Sequence, residues 1–325
     1  MSRSPSPGSS LNIFDAVQAN KRRTNVLFGV FIALVAGVTL LIGIALGLPI
    51  AVAAVTMGAF TVIALLVSIW VYRSADSLVL GVSEAREVQQ KDYPELFRVI
   101  ENLCIGSGLP MPKVYVIEDS APNAFATGRD PKHASVAITS GLLKKLDKLE
   151  LEGVMAHELS HVGNFDTRLM IMTAVLVGFI ALMVDVFLRA TWFGAGRRSR
   201  YKGEGEGPLQ AVLLVLVIVG IILAPIVARL IQLALSRQRE YLADASGALL
   251  TRYPEGLARA LEKLEKDQDP LEVATKATAH LYIVNPLKGH ESALNNMYST
   301  HPPIEERVKR LRAMSLPSAP PPAAR

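Results

Sequence analysis

The sequence has a single cysteine, Cys104, among 325 residues. No intramolecular disulfide can form, and a structural zinc site built from several thiolates is excluded. A lone thiol fits a reducing compartment. Histidine is also scarce, with six in the chain, and aromatic residues make up 6%. Any metal chemistry must therefore rest on a few imidazoles and carboxylates. The net charge of +5 comes from basic residues spread along the chain. No basic stripe interleaved with aromatics suggests a nucleic-acid partner. Half of the residues are hydrophobic, the mean hydropathy is +0.32, and charge is missing from long stretches. That is too apolar for one ordinary soluble domain, so membrane segments are expected.

Two uncharged runs, Val26 to Leu48 and Ile50 to Tyr72, are each long enough to cross about 30 Å of hydrocarbon. They predict a transmembrane hairpin over 26–72, preceded by a disordered, basic N-terminal segment over 1–25. A cleaved signal peptide is the rival reading of the first run, but that run is longer than a usual signal core and a second follows at once. Lys21, Arg22 and Arg23 before the hairpin and Arg73 after it place both ends in the cytoplasm. Two further apolar runs, Leu169 to Leu188 and Leu209 to Leu235, predict a second hairpin over 168–235 and make four transmembrane helices in all. The 189–208 linker carries Arg197, Arg198, Arg200 and Lys202 and so resembles a cytoplasmic loop, whereas counting spans puts it outside. Under either topology, residues after 235 return to the compartment that the chain left.

Between the hairpins, 73–167 has the composition of a soluble domain. Ala85 to Leu103 has helical spacing in Val88, Leu96, Val99 and Leu103. Lys113 to Glu118, Asn123 to Thr127 and Ser135 to Thr139 read as strands, with a turn at Gly128 to Pro131, and predict a small antiparallel sheet. Asp147 and Glu150 have the spacing of a capping box, so a helix is expected just after Asp147.

That helix carries His157-Glu158-Leu159-Ser160-His161. Residues four apart on a helix share a face, so both imidazoles can point at one metal ion. Glu158, turned about 100° away, can reach a water on that ion without taking a coordination position. Leu151, Met155, Leu159 and Val162 fall on one side of the wheel and the histidines well round from it. Two histidines on a solvated helix face would carry the same letters.

A catalytic zinc ordinarily has three protein ligands and one open position. The third ligand is sought after the second hairpin, where Glu240 and Asp244 are four apart and Arg237 lies three before Glu240. Glu240 would be the ligand and Asp244 the acceptor for the free nitrogen of a ligand histidine. Ala243 and Gly247 would let the two helices approach closely. An exposed helix with a charge cluster is the alternative.

The segment from His157 to Asp166, followed by an apolar helix and by Arg237 to Asp244, resembles the HtpX-type membrane zinc proteases, distant relatives of the Ste-type CaaX prenyl proteases. Asn20 to Thr24, Pro122 to Gly128 and Ser299 to Pro303 are similar to family patterns as well, so the resemblance spans about residues 12 to 313. It implies one Zn2+ per chain on His157, His161 and Glu240, with Glu158 as general base and Asp244 orienting a ligand histidine. It also implies that His301 stands by the tetrahedral intermediate and that Asn123, Ala124 and Phe125 lie on the edge strand that aligns substrate. His301, just ahead of Pro302, could donate to a developing oxyanion, or simply open a helix. Asn123 after Pro122 also has the chemistry of a turn.

The resulting expectation is an α+β integral membrane protein, mainly helical, with a zincin-like catalytic domain in two halves, 73–167 and 236–315, and a disordered tail over 316–325. It is expected to be a zinc endopeptidase of the bacterial inner (plasma) membrane. Its catalytic domain would face the cytoplasm and cleave membrane or unfolded polypeptides in quality control, with the lipid bilayer as a partner. A catalytically silent zinc-stabilised scaffold that binds client proteins is the alternative. Glu158 argues against it, since a structural site has no use for a base. Asp185 and Arg229 within apolar runs suggest a transporter, which four spans around a large soluble part disfavour.

Overall fold

The computed structural model describes residues 13–45, 49–173, 237–267, 269–271, 282–284 and 302–314. The chain divides into two compact units, one made of 1–20, 75–168 and 235–325, the other of 21–74 and 169–234.

Helix α1 spans Ile13–Ala45 and α2 spans Ile50–Val82. The first starts well before the expected boundary at residue 25. No Gly or Pro interrupts residues 13–25, so the helix propagates through the basic cluster at Lys21 to Arg23. The second runs on past Tyr72 to Val82. Among the described residues one stretch, Ile50–Trp70, is long and apolar enough to cross a membrane, with a hydropathy of 2.5. Its surface is apolar all round, with Val55, Leu66 and Trp70 exposed by 73%, 61% and 63%. A helix of that kind is stable against lipid and a liability in water. The expected first span is helical as far as Ala45. The third lies outside the described residues beyond 173, and the fourth lies wholly outside them.

The other unit is built around a small sheet and a central helix. Strands β1 (Arg86–Glu87), β2 (Lys113–Ile117), β3 (Ala124–Gly128) and β4 (Ala134–Thr139) form a sheet of order β1-β2-β4-β3. The sheet is mixed and not antiparallel as expected, because β2 pairs with β4 in parallel while β3 pairs with β4 antiparallel. Alternation in the sequence sets which face a side chain takes but not which neighbour the strand chooses. The helix expected from Ala85 starts only at Pro94. Arg86 and Glu87 pair with β2 instead, and Pro94 opens α3 (Pro94–Ser107) at a first-turn position where its missing N–H costs nothing. The β3–β4 turn needs a glycine at Gly128. Its φ is 126°, and a Cβ there would lie 2.3 Å from His133 O.

A short helix α4 (Ser140–Lys145) leads to α5 (Lys148–Gly163). The capping box is present, with the Asp147 carboxylate accepting from Glu150 N and the Glu150 carboxylate accepting from Asp147 N. After residues 164–165 the chain is helical again over 166–173. Helices α6 (Arg237–Thr251), α7 (Pro254–Lys266) and α8 (Ile304–Met314) complete the unit. Helix α5 is buried on nearly every face, so its polar side is as enclosed as its apolar stripe. One face of the sheet, with Val114, Val136 and Ile138, packs in the same core as Met155, Leu159, Leu257 and Leu311. The other face turns Phe125 and Ala137 towards Leu80 and Tyr282. The period of two along β3 thus sends Ala124 and Ala126 to one core and Phe125 to the other.

Candidate metal centre

Helix α5 brings His157 and His161 to one face, and α6 faces them with Glu240 and Asp244. The close crossing depends on Gly247, where a Cβ would sit 3.0 Å from His157 N. His157 Nε2 and His161 Nε2 are 3.2 Å apart, and the Glu240 carboxylate lies 3.7 Å from the first and 3.6 Å from the second. A tetrahedral ion with Zn–N and Zn–O bonds near 2.0–2.1 Å puts its ligand atoms about 3.4 Å apart, so the three side chains fit the group.

The outer nitrogens are held by carboxylates. His161 Nδ1 lies 3.0 Å from Asp166 Oδ2. His157 Nδ1 lies 2.9 Å from Asp244 Oδ1, close enough to hold the ring although off the line of an ideal hydrogen bond. Since a carboxylate only accepts, each Nδ1 carries the proton and each Nε2 is left to face inward. Asp166 is itself gripped, by Arg239 Nε at 3.0 Å and by Asn20 Nδ2 at 2.7 Å. It is reached through a tight turn in which Phe165 takes a φ of 58°, a left-handed conformation that costs a side-chain-bearing residue about 1–2 kcal/mol. The strain places Asp166 directly behind His161.

The two histidines shift in opposite directions. Burial opposes charge on His161, yet Asp166, Glu240 and Glu158 push it up to about 9. His157 is held below its ordinary value by burial, with Arg307 and His161 adding to the effect against Asp244. Glu158 is raised to about 7, mainly by burial and also by Glu240, while His161, Arg307 and the backbone N–H of Ala126 pull the other way. A base poised near neutrality suits proton transfer at neutral pH.

The sequence reading missed Arg307. This fully buried side chain of α8 donates from Nε and Nη2 to the two Asp244 oxygens at 2.9 and 2.7 Å. It also approaches Glu240 at 3.8 Å and His157 Nε2 at 3.4 Å. Burial would raise Asp244, but Arg307 and His157 bring it down to about 2. A signal was present: Ile304, Arg307, Val308 and Leu311 form one stripe of an amphipathic helix, and an arginine on that stripe needs a buried partner. Arg237 is exposed on α6, whereas Arg239 is the buried arginine of that helix. His301 lies outside the described residues. Asn123 directly precedes β3, one of the two edge strands of the described sheet, and Ala124 and Phe125 begin it.

Two imidazoles spaced four apart on one helix, a glutamate from another and an unliganded glutamate between the histidines are the working parts of a metallopeptidase. Residues 90–315 match the Peptidase family M48 profile, and the chain belongs to that family. It is 45% identical over 306 residues to a protease HtpX homolog of Dictyoglomus thermophilum, an alignment covering 93% of this chain and 94% of that one. It is 46% identical over 305 residues to one of Tropheryma whipplei, covering 93% and 98%. Among solved structures, the crystal structure of S. mikatae Ste24p is similar with a TM-score of 0.49 and 21% identity. That alignment covers 77% of this chain and 57% of Ste24p. The chain is thus an enzyme, a metalloprotease associated with a membrane.

Proposed function

We propose that the chain is a zinc-dependent endopeptidase of the bacterial inner membrane that cleaves membrane and unfolded polypeptides at the cytoplasmic face, in membrane-protein quality control. The observation that carries the reading is the convergence of His157 Nε2, His161 Nε2 and the Glu240 carboxylate, with Glu158 buried beside them. Asp166 and Asp244 sit behind the two rings, so that both Nε2 atoms are turned towards Glu240. His157, His161 and Glu240 would hold a zinc ion, which would supply Lewis acidity and a nucleophilic water near neutral pH. Glu158 takes a proton from the attacking water on a carboxylate oxygen and returns it to the leaving amine nitrogen. The Ala126 N–H that donates to Glu158 ties this base to β3, the edge along which an extended peptide adds as a strand. His301 would donate to the oxyanion. The catalytic domain would be assembled from 73–167 and 236–315, with 26–72 and 168–235 as membrane hairpins.

The test uses the full chain purified in detergent, stripped of metal and reloaded with zinc. Cleavage of an unfolded membrane protein should require zinc and should fall by about a hundredfold or more in Glu158→Gln, the range that general-base removal gives. Equal cleavage by the variant would remove Glu158 from the mechanism. Glu240→Ala should lose bound zinc by metal analysis, and undiminished zinc would point to a different third ligand.

A further inference from the structure

The outer edge of β3 is already taken by the chain itself. Residues 282–284 lie against it and meet all three residues expected to hold substrate. The backbone N–H of Ile283 donates to Ala124 O at 3.0 Å, and Asn123 Nδ2 donates to Val284 O at 3.1 Å. The Tyr282 ring stands edge-on to Phe125 with centroids 5.1 Å apart. Tyr282, Ile283 and Val284 are all buried. From the opposite side Arg307 Nη1 donates to Ile283 O at 3.2 Å, while its Nε and Nη2 hold Asp244. One guanidinium therefore bonds both the backbone of this segment and the carboxylate behind His157.

We propose that residues 282–284 act as an intramolecular pseudo-substrate, latched by Arg307, and that a peptide must displace them from Ala124 before it can align beside Glu158. The proposal rests on the metalloprotease reading above. Its physical basis is exclusion: an edge strand presents one row of outward groups, and Ala124 O cannot pair fully with Ile283 and with a peptide in the same place. The exchange is nearly even, because an extended peptide brings the same N–H and C=O groups that Ile283 and Val284 withdraw. A folded protein has no free extended segment to offer, so it leaves the strap seated. The strap thereby selects for unfolded chain without reading a particular sequence.

The strap competes with substrate, so weakening it should act on KM and not on kcat, since only the fraction of open sites changes. Ile283→Pro removes the N–H that bonds Ala124, and Tyr282→Ala removes the ring on Phe125 while keeping that N–H. With reduced, carboxymethylated lactalbumin as the unfolded probe, each variant should lower KM by about threefold to tenfold, the weight of one hydrogen bond or ring contact. Zinc content and kcat should stay near those of the parent, while the thermal midpoint falls in both variants because each loses buried side-chain contacts. A fall in kcat with KM unchanged or raised in both variants, measured well below their thermal midpoints, would mark the segment as structural and overturn the proposal. Hydrogen exchange on zinc-loaded Glu158→Gln supplies an independent readout. The Ile283 amide should be protected in the free protein and should exchange at least about tenfold faster once the probe saturates binding, as expected for a buried hydrogen bond released. Unchanged protection at saturation, or none in the free protein, would overturn it. Failure of the zinc-loaded parent to cleave anything would instead count against the metalloprotease reading, which the exchange measurement does not use.

Discussion

Arg307 grips Asp244 with two parallel N–H···O bonds, 2.9 and 2.7 Å long. Asp244 Oδ1 also lies 2.9 Å from His157 Nδ1, so the last helix of the domain reaches a candidate metal ligand through one carboxylate. The arrangement is rigid because a guanidinium fork and a carboxylate match in plane and spacing. It is also fully enclosed, which makes every partner in it necessary.

Removing one member should therefore be costly. Arg307→Leu leaves the Asp244 charge buried without its main partner, and about 3–5 kcal/mol of stability should be lost. Arg307→Lys should recover little of it, since an ammonium cannot bond both oxygens in plane. Thermal unfolding of the detergent-purified protein, with zinc content measured in parallel, checks both substitutions. A lysine variant as stable as the parent would mean that charge alone suffices at this position.

The same pair sets a pH dependence. Asp244 is lowered to about 2 by Arg307 and His157, despite its burial. A carboxylate whose folded value lies below its unfolded one stabilises the fold above the unfolded value, near 4, and loses that contribution as pH falls through the folded value. In metal-stripped protein the stability gap between the parent and Asp244→Asn should be constant above about pH 5 and should shrink by about 2 kcal/mol between pH 4 and 2. Denaturant unfolding at stepped pH measures it. A gap that stays constant to pH 2 would show that Asp244 is not depressed.

Asp166 should act on metal and not on the peptide. It holds His161 Nδ1 and is held by Arg239 and Asn20. Asp166→Asn keeps the size but can turn its amide NH2 towards the ring, which favours the wrong tautomer. Zinc affinity should fall by about tenfold to a hundredfold, the range for losing such an outer partner. Titration of zinc against a competing chelator gives the number, and activity at saturating zinc should largely recover.

What could be read from the sequence was local in origin. The capping box at Asp147, the imidazole pair on α5 and the Glu240/Asp244 pair follow from helical periodicity, which a few residues reveal. Strands β2, β3 and β4 were placed to within a residue while β1 was read as helix, and the pairing was missed because β2 and β4 are joined across an intervening strand and alternation carries no partner information. Asp166, Arg239 and Asn20 form one cluster, yet Asn20 is 146 residues from Asp166. Arg237 shares a face with Glu240 by spacing, but α6 turns that position outward and buries Arg239 instead. Residues 282–284 carry no motif in the sequence, and only the folded chain shows Ile283 bonded to Ala124 of β3.

The expected role of small residues between the two ligand-bearing helices yields the last prediction. A Cβ at Gly247 would meet His157 N at 3.0 Å and the Ala156 carbonyl carbon at 3.2 Å, both backbone atoms of buried α5. A Cβ at Gly153, where α5 crosses α7, would meet Leu257 N at 2.5 Å. Neither contact can be relieved by turning a side chain, so the helices must separate. Both alanine variants should be destabilised, by about 1–3 kcal/mol, as for other overpacked sites. Their effects on metal should differ. Gly247→Ala pushes away the helix that carries Glu240 and should weaken zinc binding as well, whereas Gly153→Ala moves α7, which carries no ligand, and should leave zinc affinity near that of the parent. Zinc titration beside thermal unfolding separates the two, and equal losses of affinity would mean that the α5–α6 spacing is not what sets the metal site.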